Sequence, residues 1–226
     1  MRSKSLAYLG VALVGLSLMA GCVRKNAPTA KAPTGTDAAT SAVAFLDKKF
    51  AVLPFTIPAT DADLLAGYLP AARVVPEVAP VHLDAALEQD LAGSKQSFVP
   101  AGMAASCVKS APRGDESGRL ATLRYYQNVG KCAGVDYVVV PLVIDWRERV
   151  GSEIGSTNPA SVDFVLYLID VRTGGLIKQF HFDETQQSLS ANILDARKFV
   201  SRNGRWLSAM ELAQEGLQKG LAELGL

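Results

Sequence analysis

Histidine and cysteine are scarce in this 226-residue chain, which has two of the former and three of the latter. So few donors leave a zinc site short of ligands, since structural zinc takes four N or S donors and catalytic zinc three. A Ser/His/Asp triad would have to use His82 or His181. Charge of one sign is also missing: 23 Lys and Arg stand against 22 Asp and Glu. No basic stripe marks a face for nucleic acid, so none is expected as a partner. The GxSxG, P-loop, HExxH and Rossmann glycine patterns are absent. The expectation is therefore a protein that is not an enzyme and that uses no cofactor and no metal. What remains is ordinary for a globular fold, 49% hydrophobic and 20% charged.

One apolar run stands out, Leu6 to Ala20. It follows Arg2 and Lys4 and closes on Leu18-Met19-Ala20-Gly21-Cys22. A membrane span needs about 20 apolar residues, and this run is shorter. A basic start, an apolar stretch and small residues form a secretory signal. Ending directly before a cysteine, it resembles the lipobox of bacterial lipoproteins. One departure is Met19, where that family usually has Leu. The resemblance implies cleavage before Cys22 and acylation of its thiol and new amino group. Residues 1–21 are then the signal peptide, and 22–41 carry the lipidated cysteine and a flexible tether. Residues 42–226 form a single periplasmic α/β domain. Val23 to about Thr40 is rich in Ala, Thr, Pro and Lys without apolar periodicity. Such a tether spans roughly 25 Å on average and about 60 Å at full stretch. Val23 stands where the inner-membrane retention signal has Asp. By that analogy the address is the periplasmic face of the outer membrane.

Within the domain, Phe50 to Phe55 reads as a buried strand. Thr60 with Asp63 resembles a capping box for a brief helix ended by Pro70. Leu83, Leu87 and Leu91 mark an amphipathic helix over residues 81–92, with Gly93 as its cap. Ser97 to Val99 suggests a short strand, and Ala101 to Gly114 a loop. Ser117 opens a helix to about Cys132 with Leu120 and Leu123 inward. Val135 to Trp146 is a strand apolar on both faces at Val138-Val139-Val140. After a polar turn at Gly151 to Pro159, the strand Val162 to Val171 turns at Thr173-Gly174-Gly175 into Leu176 to Asp183. Ser190 or Asn192 caps a helix to Val200, broken by Asn203-Gly204. Ser208 and Glu211 open a last helix lined by Ala213, Leu217, Leu221 and Leu224, with Gly216 and Gly220 packing it closely on the sheet. The fold class is α/β (α+β): a mixed sheet of about five strands with an antiparallel C-terminal hairpin, covered by helices, plus C-terminal helices.

Three motifs in order, Ala51-Val52-Leu53-Pro54-Phe55, Gly134-Val135-Asp136-Tyr137-Val138-Val139 and Asp170-Val171-Arg172-Thr173-Gly174, resemble the α/β domain of the curli-secretion lipoprotein and of the TolB amino-terminal domain. The match covers roughly residues 50–184. It implies a periplasmic scaffold or assembly component. The secretion lipoprotein also inserts two long amphipathic hairpins to build a pore. Here Asp163 and Asp170 interrupt the one long hairpin, and no second is evident.

With Cys22 acylated, Cys107 and Cys132 are an even pair in an oxidising compartment, either a disulfide or two separate core residues. Asp163, Asp170, Asp183 and Glu184 are carboxylates near the hairpin. Trp146 and Trp206 are candidates for holding a partner or for the core. The expected function is a membrane-anchored envelope scaffold whose partners are the bilayer and an envelope protein or the cell wall. The alternatives are an oligomeric secretion or channel component and an envelope hydrolase.

Overall fold

A strand that is apolar on both faces needs cover on both sides, and the centre of this chain has it. The computed structural model describes residues 45, 47–114, 117–187 and 200–226. In chain order the elements are β1 (Lys49–Val52), a 3-10 turn (Asp61–Asp63), α1 (Ala79–Leu91), β2 (Ser97–Phe98), α2 (Ala101–Ser110), α3 (Arg119–Ala133), β3 (Tyr137–Arg147), β4 (Val150–Ser152), β5 (Gly155–Asn158), β6 (Ser161–Asp170), β7 (Gly175–Thr185) and α4 (Ala209–Leu224). The five-stranded sheet runs β2-β1-β3-β6-β7, and β4 and β5 form a separate two-stranded hairpin. β1 is parallel to β2 and β3, while the β3–β6 and β6–β7 pairs are antiparallel. The sheet is thus mixed, with the antiparallel hairpin at one edge, as the sequence pattern predicts.

Among the described residues, two helices cover each face of the sheet. On one side, α1 and α4 pack over Val139, Val143, Val162, Phe164 and Leu166. On the other, α2 and α3 pack over Val138, Val140, Val165, Tyr167 and Ile169. β6 is buried from Ser161 to Ile169.

Several joints follow directly from local chemistry. In α4, Ser208 accepts the Glu211 amide at 3.2 Å, and the Glu211 carboxylate accepts the Ser208 amide at 2.8 Å. This capping box satisfies two free amides of the first turn. Leu212, Leu217 and Leu224 are wholly buried on its inner face, each contributing about 1.5–3 kcal/mol. Gly216 and Gly220 let that face approach the sheet. An added Cβ would meet Phe164 and Phe182 at 2.8 Å in one case, and Phe180 at 2.6 Å in the other. At the β6–β7 turn the Asp170 carboxylate accepts the Thr173 amide at 2.9 Å.

Other expectations need correction. Residues 101–110 form α2, not a loop. Gly102 and the serines disguise it, yet Ser106 and Ser110 return their hydroxyls to carbonyls one turn back, at 2.8 and 3.0 Å. Ala104 and Cys107 give α2 a buried face. Leu120 is 71% exposed, because the inner face of α3 is set by Tyr125, Val129 and Ala133. The brief helix after Thr60 is one 3-10 turn, though its capping box is present. α1 ends on Ala92 in right-handed geometry, so Gly93 is not a left-handed cap. The polar turn at 151–159 contains most of the β4–β5 hairpin. The helix expected before Val200 and the predicted lipid cysteine Cys22 lie outside the described residues.

Candidate functional site

Sequence-marked polar residues divide between two faces of the sheet. On the face that α2 and α3 leave open near the end of β3, a polar row crosses the strands. Register places Asp145 opposite Asp163 and Asp163 opposite Asp183. Asp145 accepts the Val74 amide at 2.7 Å and the Arg147 guanidinium at 2.9 Å. Arg147 donates to the Ser161 hydroxyl at 3.0 Å, and Ser161 is 2.8 Å from the Thr185 hydroxyl. His181 Nε2 lies 2.7 Å from Asp163 Oδ1. This bond raises the imidazole pKa; burial opposes the rise, and the charges of Asp163 and Asp183 add to it. Ser161 is held by Arg147 and Thr185, so the Asp163–His181 pair is a charge-assisted contact without that serine behind it. His82 is exposed on α1.

Of the four carboxylates near the hairpin only Asp163 and Asp183 lie side by side. Asp170 stays in its turn, at the other end of β6 from Asp163. Glu184 faces α4, where it meets Arg202 at 2.8 Å. Arg202 also binds both carboxylate oxygens of Glu215, at 3.1 and 2.7 Å. Burial works against the Arg202 charge, but Glu215 and Glu184 outweigh it. Sequence reasoning missed this ion-pair centre, whose members lie far apart in the chain. Among the described residues no group of three or more His, Cys, Asp or Glu is arranged to hold a metal.

Trp146 is 7% exposed and belongs to the core, leaving a partner little to grip. Trp206 is partly buried; its amide donates to the Glu153 carbonyl at 2.7 Å and its carbonyl accepts from Arg149. It fastens the β4–β5 hairpin to the segment before α4. Cys107 and Cys132 are joined by a disulfide that ties α2 to α3.

A cleft of about 470 Å³ lies at the carboxyl end of β1. Beyond β1 the chain stays extended: Leu53 donates to Val139 at 2.9 Å and Thr56 accepts from Val143 at 3.0 Å. Pro54 and Pro58 lack amide protons and favour this course. β1 leads to α1 on one face, while β2 leads to α2 and α3 on the other. Such a divergence opens a crevice beyond the strand ends. Thr56, Ile57, Arg113, Thr122, Tyr125 and Tyr126 line it. The Arg113 guanidinium stacks 4.2 Å from the Tyr125 ring centre, and the tyrosine rings are 5.3 Å apart. The Tyr125 hydroxyl donates to Val108 at 2.7 Å. Burial is the main cause that pushes the Tyr126 phenol up to about 12, so it is a neutral hydrogen-bonding group at neutral pH. The cleft can hold a flat or apolar group and hydrogen-bond its edge. Neither tyrosine was singled out from the sequence, since no local pattern distinguishes them from core aromatics.

No family model matches the chain, and no curated protein matches it. Among solved structures it is similar to the PelC dodecamer from Paraburkholderia phytofirmans, with 15% identity over 79% of this chain and 86% of that one, at a TM-score of 0.41. It is similar to the hypothetical protein CT253 from Chlamydia trachomatis, with 15% identity over 79% and 95%, at 0.43. A third is Lipoprotein GNA1162 from Neisseria meningitidis, with 13% identity over 70% and 98%, at 0.36.

Proposed function

We propose that this chain is a lipid-anchored envelope lipoprotein, without catalytic activity, that holds its α/β domain near the periplasmic face of the outer membrane as a scaffold or assembly factor. The observation that carries this reading is the pattern from Arg2 to Cys22, an apolar run closing on Met19-Ala20-Gly21-Cys22. No described helix is long and apolar enough to cross a membrane, so no span among these elements competes with acyl anchoring. Each buried methylene contributes about 0.8 kcal/mol, and several acyl chains make release negligible. The tether confines the domain to a shell beside the membrane and raises its effective concentration near a partner there. The Cys107–Cys132 bond suits an oxidising compartment.

The structure does not favour a channel built from the long hairpin. β6 is buried along nine residues between two helical layers, and β4 and β5 have only three and four residues. A bilayer-spanning strand needs about 9–11. The proposal is tested by metabolic labelling with an alkynyl palmitate and by fractionation of Cys22→Ala. The parent chain should take up label and sediment with outer membranes, and the variant should do neither. An unlabelled parent, or a variant that still sediments with membranes, overturns the proposal.

A further inference from the structure

Helix α1 borders a charged and apolar groove beside β1 and β2, with the core residue Leu87 lining it. Asp84, Leu87, Glu88 and Leu91 recur at the spacing of one helical face. They border a groove of about 320 Å³ whose other walls include Val52, Phe98 and Val99. The lining is apolar except for Asp84 and Glu88, and it contains no Lys or Arg. The Asp84 carboxylate accepts the Phe55 amide at 2.7 Å. Burial raises its pKa, the Phe55 amide opposes that, and the Glu88 charge one turn away raises it again. Two acids thus line one apolar slot, with no Lys or Arg among its described lining residues.

Past Leu91 the same helix borders a second opening of about 280 Å³, shared with Gln218, Leu221 and Leu226. Asp90 lines it, and Asp90 Oδ2 is shielded from solvent with no hydrogen-bond donor among the described residues. Both α1 and α4 end nearby, and their terminal carbonyls add negative partial charge. Lys178 answers only part of it, donating to the Glu223 and Leu224 carbonyls at 3.2 and 3.1 Å.

We infer that this face of α1 docks a basic, apolar peptide segment of a protein partner. A bulky apolar side chain fills the slot between Leu87, Leu91 and Phe98. Flanking Lys or Arg side chains meet Asp84 and Glu88 on one side of Leu91 and Asp90 on the other. Charge complementarity selects this occupant: an acidic or neutral segment would leave these carboxylates uncompensated. The inference deepens the scaffold reading by giving the partner's chemistry, and it does not require the acyl group.

A random peptide library displayed against the full chain, held in nanodiscs of neutral phosphatidylcholine, tests it. Recovered peptides should be enriched in Lys or Arg beside a bulky apolar residue. Their synthetic consensus, followed by fluorescence anisotropy, should bind at least about tenfold more weakly to Glu88→Lys, and more weakly as salt rises. Exchanging the consensus cations for Glu should restore binding to that variant. Asp90→Asn keeps the side-chain shape and should weaken the parent peptide as well. Glu88 is exposed, so an unchanged melting curve for Glu88→Lys separates docking from folding. Recovery of no peptide, of peptides without cationic bias, or of peptides indifferent to Glu88→Lys overturns the inference. So does self-association of the chain in sedimentation that Glu88→Lys abolishes, since the occupant would then be a second copy. Palmitate labelling is independent of each of these readouts, so the anchor and the groove stand or fall separately.

Discussion

Replacing Gly220 with alanine sets two opposite effects against each other, and the structure decides the sign. On an open helix surface, Gly→Ala stabilises by about 1 kcal/mol through helix propensity. Gly220 is instead pressed on the sheet, where an added Cβ would lie 2.6 Å from Phe180 and 2.8 Å from Leu166. Ordinary carbon contacts begin near 3.4 Å, so the shortfall is about 0.8 Å. Relief requires Phe180 to move, or α4 to lift from a face that also buries Leu217 and Leu221. Overpacking of this kind costs about 1–3 kcal/mol. The net expectation for Gly220→Ala is a loss of about 0–2 kcal/mol. In urea this moves the midpoint down by up to about 1 M at an unchanged slope. Gly216→Ala should behave alike, because its Cβ would lie 2.8 Å from Phe164 and Phe182. Combining Gly220→Ala with Phe180→Leu should recover much of the loss by making room. A Gly220→Ala chain about 1 kcal/mol more stable than its parent would refute the packing argument and turn this glycine pair outward.

Two further outcomes follow from other joints. The Cys107–Cys132 bond spans a sequence separation of 25, and in the chain-entropy model a closure of that length is worth about 3.5 kcal/mol. The double variant Cys107→Ala/Cys132→Ala should therefore unfold at clearly lower urea than the oxidised parent and resemble the reduced parent; equal midpoints would remove the bond from the stability of the fold. Because the folded state raises the His181 pKa above 6.5, its contribution is fully present below about pH 6.5 and fades as pH rises through the folded value. His181→Gln should flatten stability against pH in that window, and a slope unchanged by the substitution would mean that Asp163 does not hold the imidazolium.

What the sequence made legible is local. Ser208 and Glu211 sit three apart, and their reciprocal bonds need nothing beyond one helical turn. Asp170 reaches the Thr173 amide inside a single turn, and Gly134 ends α3 at φ 64° just before β3. The alternation of β6 and β7 places Phe182 inward and His181 outward, as observed. What stayed hidden depends on distant partners. Arg202 joins Glu184 and Glu215 across 18 and 13 residues, and nothing in the local pattern marks it as buried. The apolar character of Leu120 points inward, yet the buried Tyr125, Val129 and Ala133 fix which side of α3 faces the sheet. Gly102 and two serines weaken the helix propensity of α2, and packing of Ala104 and Cys107 overrides it. The cleft with Tyr125 and Tyr126 depends on where two connections diverge from the sheet, a property of topology.

The place of β1 inside the sheet governs the order in which this molecule can be made. Its amide edge at Lys49 meets the Asp136 carboxylate at 2.9 Å across 87 residues, and both its neighbours lie later in the chain. As synthesis runs from the amino end, Phe50 and Ala51 emerge with no strand to receive them. Pairing of such high sequence separation is slow and leaves apolar segments open to wrong contacts meanwhile. Until Tyr137 to Val139 leave the ribosome the native sheet cannot close around β1, so the nascent chain stays slack for more than half its length, the condition under which a chaperone or a translocation channel can take hold of it.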